Sequence, residues 1–167
     1  LARYFQQTQD KWLYDHFFEA CLATASKVED EGKLAAEGHC NVGLVLEESG
    51  DNYDAAQHFE QCYELSKDKP HWEFDNGLPM HPESCNHLTR IYTTLAGILK
   101  MKGDLESYLT FLEKAYETAK EGGDRKTEGE ASLRLGMAYE RNKNSEVALK
   151  YLNKYLETCR ALDDNYG

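Results

Sequence analysis

With 167 residues the chain can build one sizeable core or a short stack of repeated units. Its 30 acidic against 19 basic side chains leave a net charge of −11, which argues against a nucleic-acid backbone as partner and for a basic protein surface. No apolar run approaches the roughly 20 residues of a membrane span, and no basic leader with a short apolar segment opens the sequence.

In chain order, residues 1–28 predict a truncated helix pair carrying Leu1-Ala2, Phe5, Tyr14, Phe18 and Cys21 at fixed offsets. Residues 33–68 repeat those offsets with Val42-Gly43, Leu46, Ala55, Phe59 and Cys62. In "ESGDN" a glycine stands where a helix should stop and Asp51 where the next should be capped. Residues 69–83 predict an insertion. The stretch "DKPHWEFDNGLPMHPES" holds all three prolines and cannot be one continuous helix, so an ordered loop or short lid is expected. Its Trp72 and Phe74 either pin the loop to the helices or anchor a partner.

Residues 84–122 form the third copy, with Leu95-Ala96, Leu99, Tyr108, Leu112 and Ala115 and the turn "MKGD". The fourth, 125–163, carries Leu135-Gly136, Tyr139, Ala148, Leu152 and Tyr155. Its turn "RNKNS" points to Asn142 or Asn144 as the left-handed residue and Ser145 as the cap. The small slots fall at residues 2, 43, 96 and 136, a period of about 40 broken by the insertion. Small residues where two backbones approach, with large ones in the facing grooves, are what close helix packing demands. Gly38, Gly97 and Gly129 read as tight crossings or as helix interruptions costing about 1 kcal/mol each.

The chain begins without methionine and its pattern starts and ends midway, so a part of a longer chain is expected. Cys21, Cys40, Cys62, Cys85 and Cys159 lie far apart without a Cys-x-x-Cys pair, as expected of reduced, mostly buried thiols in a cytosolic compartment.

The slots of Leu135-Gly136 with Tyr139, then Ala148 and Leu152, resemble those of the tetratricopeptide repeat family. The implied fold is all-α, a right-handed solenoid of antiparallel helix pairs, and the spacing near 40 resembles the long-helix subgroup found in scaffolds of cell polarity and motor adaptors. The stretches "LARYFQQTQDKWLYDHFFEAC", "GLVLEESGDNYDAAQHFE" and "AKEGGDRKTEGEASLRLGMAYE" are similar to ciliary and flagellar members. That resemblance implies a non-enzymatic scaffold of motile cilia and sperm flagella, on the cytoskeleton, associated with inner-arm axonemal dynein and a MYND-type zinc-finger companion. No cofactor, small-molecule substrate, nucleic acid or membrane is expected as partner. A cytosolic adaptor holding a peptide segment in its groove is the other reading.

In such folds the groove is lined by the first helix of each pair. That face presents Glu37, Asn41, Leu44 and Glu48, then Arg90, Thr94, Gly97 and Met101, then Glu130, Arg134, Met137 and Arg141. The protein-binding candidates are Asn41, Leu44, Glu48, Arg90, Thr94, Met101, Arg134, Met137 and Arg141, with Trp72 and Phe74 on the loop. Members that clamp a terminal carboxylate use Lys, Arg and Asn. Here Cys40, Thr93 and Leu133 occupy key positions and only Asn41 and Arg134 fit, against clamping. His81, Cys85, His87 and His71 could be imagined around zinc, but their spacing matches no zinc signature, so no metal site is expected. No Ser-His-Asp order, phosphate-binding glycine loop or isolated carboxylate pair points to catalysis, and no catalytic residue is assigned.

Overall fold

The computed structural model describes residues 11–25 and 32–163. Among them the elements are helices: α1 (Lys11–Ala25), α2 (Lys33–Ser49), α3 (Asn52–Ser66), α4 (Met80–Lys102), α5 (Leu105–Gly122), α6 (Arg125–Arg141) and α7 (Ser145–Asp163). They fall into two compact units, Leu1–Ser84 and Cys85–Gly167. Leu1, Ala2 and Phe5 of the first predicted copy, and the side chains of its Tyr14 and Phe18, lie outside what is described; its Cys21 is exposed.

In the first unit α2 and α3 form a hairpin because Gly50 takes φ 84°, a left-handed conformation open to glycine at no steric cost. Gly50 N–H bonds the Glu47 carbonyl and Asp51 N–H the Leu46 carbonyl, which satisfies carbonyls the helix end would otherwise leave unpaired. The two helices touch closely at Gly43, where a Cβ would lie 2.6 Å from the Phe59 ring. Phe59 and Cys62 are fully buried there. On the other side of α2, a Cβ on Gly38 would meet Leu22 of α1 at 2.9 Å.

The insertion is ordered by its own hydrogen bonds. Phe74 N–H bonds the Leu78 carbonyl, Gly77 N–H the Phe74 carbonyl and Met80 N–H the Trp72 carbonyl, and Glu73 pairs with Pro79 in a single antiparallel bridge. Trp72 is 5 % exposed. Helix α4 starts at Met80, inside the stretch expected to be loop, with Pro82 in its first turn where a missing N–H costs nothing.

In the second unit α4 and α5 meet across the Gly103 turn, through Thr89 with Thr118 and Tyr92 with Phe111, and α6 and α7 pair across Asn142–Asn144, while α5 packs on α6. Ala96 of α4, Leu112 of α5 and Leu135 and Ala138 of α6 make one buried cluster. Gly136 lies against α7: a Cβ there would meet Leu152 Cγ at 2.9 Å and the Ala148 carbonyl at 3.3 Å. The slot partners of the sequence pattern, Gly43 with Phe59 and Gly136 with Leu152 and Ala148, are thus direct contacts. Gly129 similarly faces Thr158 at 2.8 Å, whereas Gly97 is exposed with nothing near, so it is no crossing point.

The last turn corrects the sequence expectation. Lys143, at φ 60°, is the left-handed residue, not Asn142 or Asn144. Lys143 N–H bonds the Glu140 carbonyl and Asn144 N–H the Tyr139 carbonyl, the same pair of bonds that Gly50 with Asp51 and Gly103 with Asp104 make. Asn144 caps α7, its side chain accepting from Val147 N–H at 3.4 Å, and Ser145 is the first helical residue. Capping at the equivalent aspartates is uneven. Asp104 accepts from Ser107 N–H at 3.1 Å, but Asp51 makes no capping bond with its side chain.

Candidate protein-binding groove

First-helix residues of the second unit line an open trough of about 480 Å³ between α4 and α6. Helical spacing puts Asn86, Thr89, Arg90, Thr93 and Thr94 on one face of α4, and Thr127, Glu130, Ala131 and Arg134 on one face of α6. The threonines sit in helices because their hydroxyls are satisfied locally. Thr89 donates to the Cys85 carbonyl at 2.8 Å, Thr93 to the Thr89 carbonyl at 2.7 Å and Thr94 to the Arg90 carbonyl at 3.1 Å. Thr89 also meets Thr118 of α5 at 3.0 Å, tying the floor to the helix behind it.

Charge is arranged at the rim. A guanidinium nitrogen of Arg90 donates to His87 Nδ1 at 3.0 Å, which makes that ring nitrogen an acceptor. Asp124 caps α6 through Thr127 N–H at 3.0 Å, and its hydrogen bonds with Thr127 hold its carboxyl below the ordinary carboxylate range. Arg90, Arg134 and Glu130 are all exposed. Two guanidiniums, two carboxylates and an amide around a polar trough can bond the backbone and charged side chains of an extended segment.

Arg90, Thr94 and Arg134, named from the sequence, therefore meet in one trough. Met101 is 83 % exposed, at the far end of α4, and Met137 is exposed on α6; neither lines it. Arg141 borders a separate small hollow with Lys100, Leu105 and Tyr108. In the first unit Asn41 lines an open hollow of about 470 Å³ between α1 and α2, with Phe17, Thr24, Leu34 and Glu37. Leu44 is half-buried and Glu48 exposed, both outside that hollow. Trp72 is buried and Phe74 is half-buried. Sequence reasoning missed Asn86 and Thr127. They sit one turn before Arg90 and Glu130 on the same faces, so extending the helical register would have reached them.

The residues weighed for zinc serve elsewhere. His81 packs on the Tyr63 ring at 5.0 Å, Cys85 is buried, His87 takes the Arg90 bond and His71 is exposed. Among the described residues no three His, Cys, Asp or Glu side chains converge. All five cysteines are thiols; Cys40, Cys62 and Cys85 are buried. No described helix is long and apolar enough to cross a membrane.

The tetratricopeptide repeat profile matches residues 36–69 and 129–161. Tetratricopeptide repeat protein 29 of Macaca fascicularis is 37 % identical over 166 residues, 99 % of this chain and 35 % of that protein. The Homo sapiens protein of the same name is 36 % identical over the same extent. The chain thus spans about a third of the length of these relatives. Among solved structures, a Podosopora anserina protein of kinesin light chain type with nearly identical TPR-like repeats superposes with a TM-score of 0.56 at 16 % identity, covering 97 % of this chain and 73 % of that one. The helix pairs, their slot contacts and these similarities agree: the chain carries tetratricopeptide repeats in an all-α, TPR-like solenoid fold and is homologous to part of tetratricopeptide repeat protein 29.

Proposed function

We propose that the chain is a non-enzymatic protein-interaction scaffold of motile cilia and sperm flagella, in the assembly around inner-arm axonemal dynein, with a MYND-type zinc-finger protein as companion. The scaffold half of this reading rests on one observation, the α4–α6 trough that gathers Arg90, Thr94 and Arg134 with Glu130 and Asn86. The ciliary half rests on the likeness to tetratricopeptide repeat protein 29. The exposed Met101, Met137 and Arg141 extend the contact beyond the trough, while Asn41, Leu44 and Glu48 serve the first unit. Phe74 is the side chain the loop offers, and Trp72 supports it from beneath.

The partner segment is expected to carry acidic groups for the two arginines, flanked by basic residues that the net charge of −11 attracts. Charge reversal at Arg90, Arg134 and Arg141 to Glu should weaken binding to the purified companion at least about tenfold, with helical circular dichroism unchanged. Loss of binding only when second-helix surfaces are altered would move the site to the other face. A crosslinking map of axonemes from motile cilia tests the ciliary half, and contacts to dynein-associated subunits are its expected result. The second reading, a cytosolic adaptor, is favoured by the trough's suitability for an extended peptide. It prevails if the crosslinks run through the trough to a soluble partner and none reach the axoneme.

A further inference from the structure

Counted from the small slots Gly43, Ala96 and Gly136, the turns of the second, third and fourth copies keep one register, and the third departs from the other two at four positions. Lys100 stands where they carry Glu47 and Glu140, and Met101 where they carry Glu48 and Arg141. Leu105 replaces Asn52 and Ser145, and Tyr108 replaces Ala55 and Ala148. The turn does not need these changes. Gly103 N–H bonds the Lys100 carbonyl, Asp104 N–H bonds the Leu99 carbonyl, and Asp104 caps α5 through Ser107 N–H.

Within the second unit three of the four meet. Lys100, Leu105 and Tyr108 line one hollow of about 70 Å³, completed by Leu109 of α5 and by Ala138 and Arg141 of α6. Leu105 is 59 % exposed, and Met101, next to Lys100 in the chain, is 83 % exposed. The Lys100 ammonium lies over the Tyr108 ring, 5.8 Å from its centroid, which holds that charge at the rim. Single exposed apolar side chains are ordinary on a protein surface. Helix pairing gives no reason for two that replace polar residues, beside a hollow whose lysine replaces a glutamate.

The lining selects the occupant. Leu105, Leu109 and Ala138 offer apolar contact to one aliphatic side chain, and the Lys100 ammonium, the Arg141 guanidinium and the Asn142 amide donate to carboxylates beside it. None of the lining residues is a carboxylate, unlike the α4–α6 trough with Asp124 and Glu130. Asp104 is spent on its cap, and Glu106 and Glu140 lie outside the lining. The net charge of −11 does not forbid an acidic ligand, because at physiological salt exposed charges beyond about 8 Å are largely screened and the two local cations decide.

We propose that this turn edge is a docking surface for an acidic segment of a partner protein, which seats one aliphatic side chain in the hollow and sets its carboxylates on Lys100 and Arg141. The inference is independent of the α4–α6 trough, with which the hollow shares no lining residue.

The repeats supply the variant. Lys100→Glu, Met101→Glu and Leu105→Asn together give the third turn the residues of the second copy, so helical circular dichroism should be unchanged. A display library of random short peptides selected on the chain should yield binders with a leucine or isoleucine flanked by Asp or Glu. By fluorescence anisotropy these should bind the triple variant at least about tenfold more weakly, and so should peptides with that aliphatic residue changed to alanine. Arg90→Glu with Arg134→Glu, a larger change of net charge, should leave their binding within about twofold. If the triple variant fails to fold, Lys100→Glu alone, at an exposed position, should still weaken them. A library that yields no such binders, or binders indifferent to the triple variant, overturns the proposal. Loss confined to the Arg90 and Arg134 variant assigns such segments to the trough and overturns it as well. Self-association of the chain that disappears in the triple variant, read by sedimentation, would make a second copy the occupant and overturn it too.

Discussion

Lys143 holds a left-handed conformation that the equivalent residues Gly50 and Gly103 adopt without a Cβ. The clash of its Cβ with the following carbonyl costs roughly 1–2 kcal/mol, tolerated because the turn still closes both of its backbone bonds. Lys143→Gly should therefore raise stability by about 1 kcal/mol, read as a shift of the chemical-denaturation midpoint at constant slope. The chemical preference of asparagine for this conformation pointed to Asn142 and Asn144, but position in the repeat decided it: Lys143 stands seven residues after Gly136, as Gly50 does after Gly43 and Gly103 after Ala96. The opposite demand holds at Gly136, where any side chain meets Leu152. Gly136→Leu should cost roughly 1–3 kcal/mol by overpacking. Leu112→Ala, which empties the centre of the α4–α5–α6 cluster, should cost about 2–5 kcal/mol in the same measurement.

The α2–α3 pair contains a titrating contact. His39 Nδ1 and His58 Nδ1 lie 3.0 Å apart, so one ring donates and the other, unprotonated at that nitrogen, accepts. Burial lowers both from the ordinary value of 6.5; the neighbouring ring lowers His39 further, and Asp54 partly offsets the shift at His58. An unfolded chain then binds more protons than the folded one just below pH 6.5, so the pair's contribution is complete above that pH and is lost as pH falls through the lowered folded values. Thermal stability should decline as pH drops from 7 toward 5, and His39→Gln with His58→Gln should flatten that decline. An unchanged slope in the double variant would assign it to other groups. The α5–α6 contact is held differently. The Tyr139 hydroxyl donates to the Glu113 carboxylate, which pushes it up to about 12, and the Tyr139 ring stacks on Tyr151 of α7 with centroids 5.9 Å apart. That tyrosine stays protonated throughout the pH range of the histidine experiment.

The chain carries a net charge of −11, and its second unit has a trough rimmed by Arg90 and Arg134. Long-range attraction of a basic partner should fade as salt shortens the Debye length below about 10 Å, so the association rate should fall with salt more steeply than the dissociation rate rises. Stopped-flow measurements at several ionic strengths separate the two. Much of this architecture was legible in the sequence. The small–large slots of Gly43 and Phe59, and of Gly136 and Leu152, report one contact made in two helix pairs, and repetition makes a local packing rule visible as a period. Composition likewise excluded an apolar span, and the wide cysteine spacing argued against a thiol cluster. Tertiary structure alone decided which candidates meet. Periodicity assigns a residue to a helix face, but the distance from Arg90 on α4 to Arg134 on α6 depends on how the helices between and around them pack. The same cause separates Gly97, exposed and without a neighbour, from Gly129, pressed on Thr158, although both read as isolated helix glycines. It also left Trp72 buried and Phe74, two residues on, half-buried, which no count of aromatic or turn residues along the chain determines.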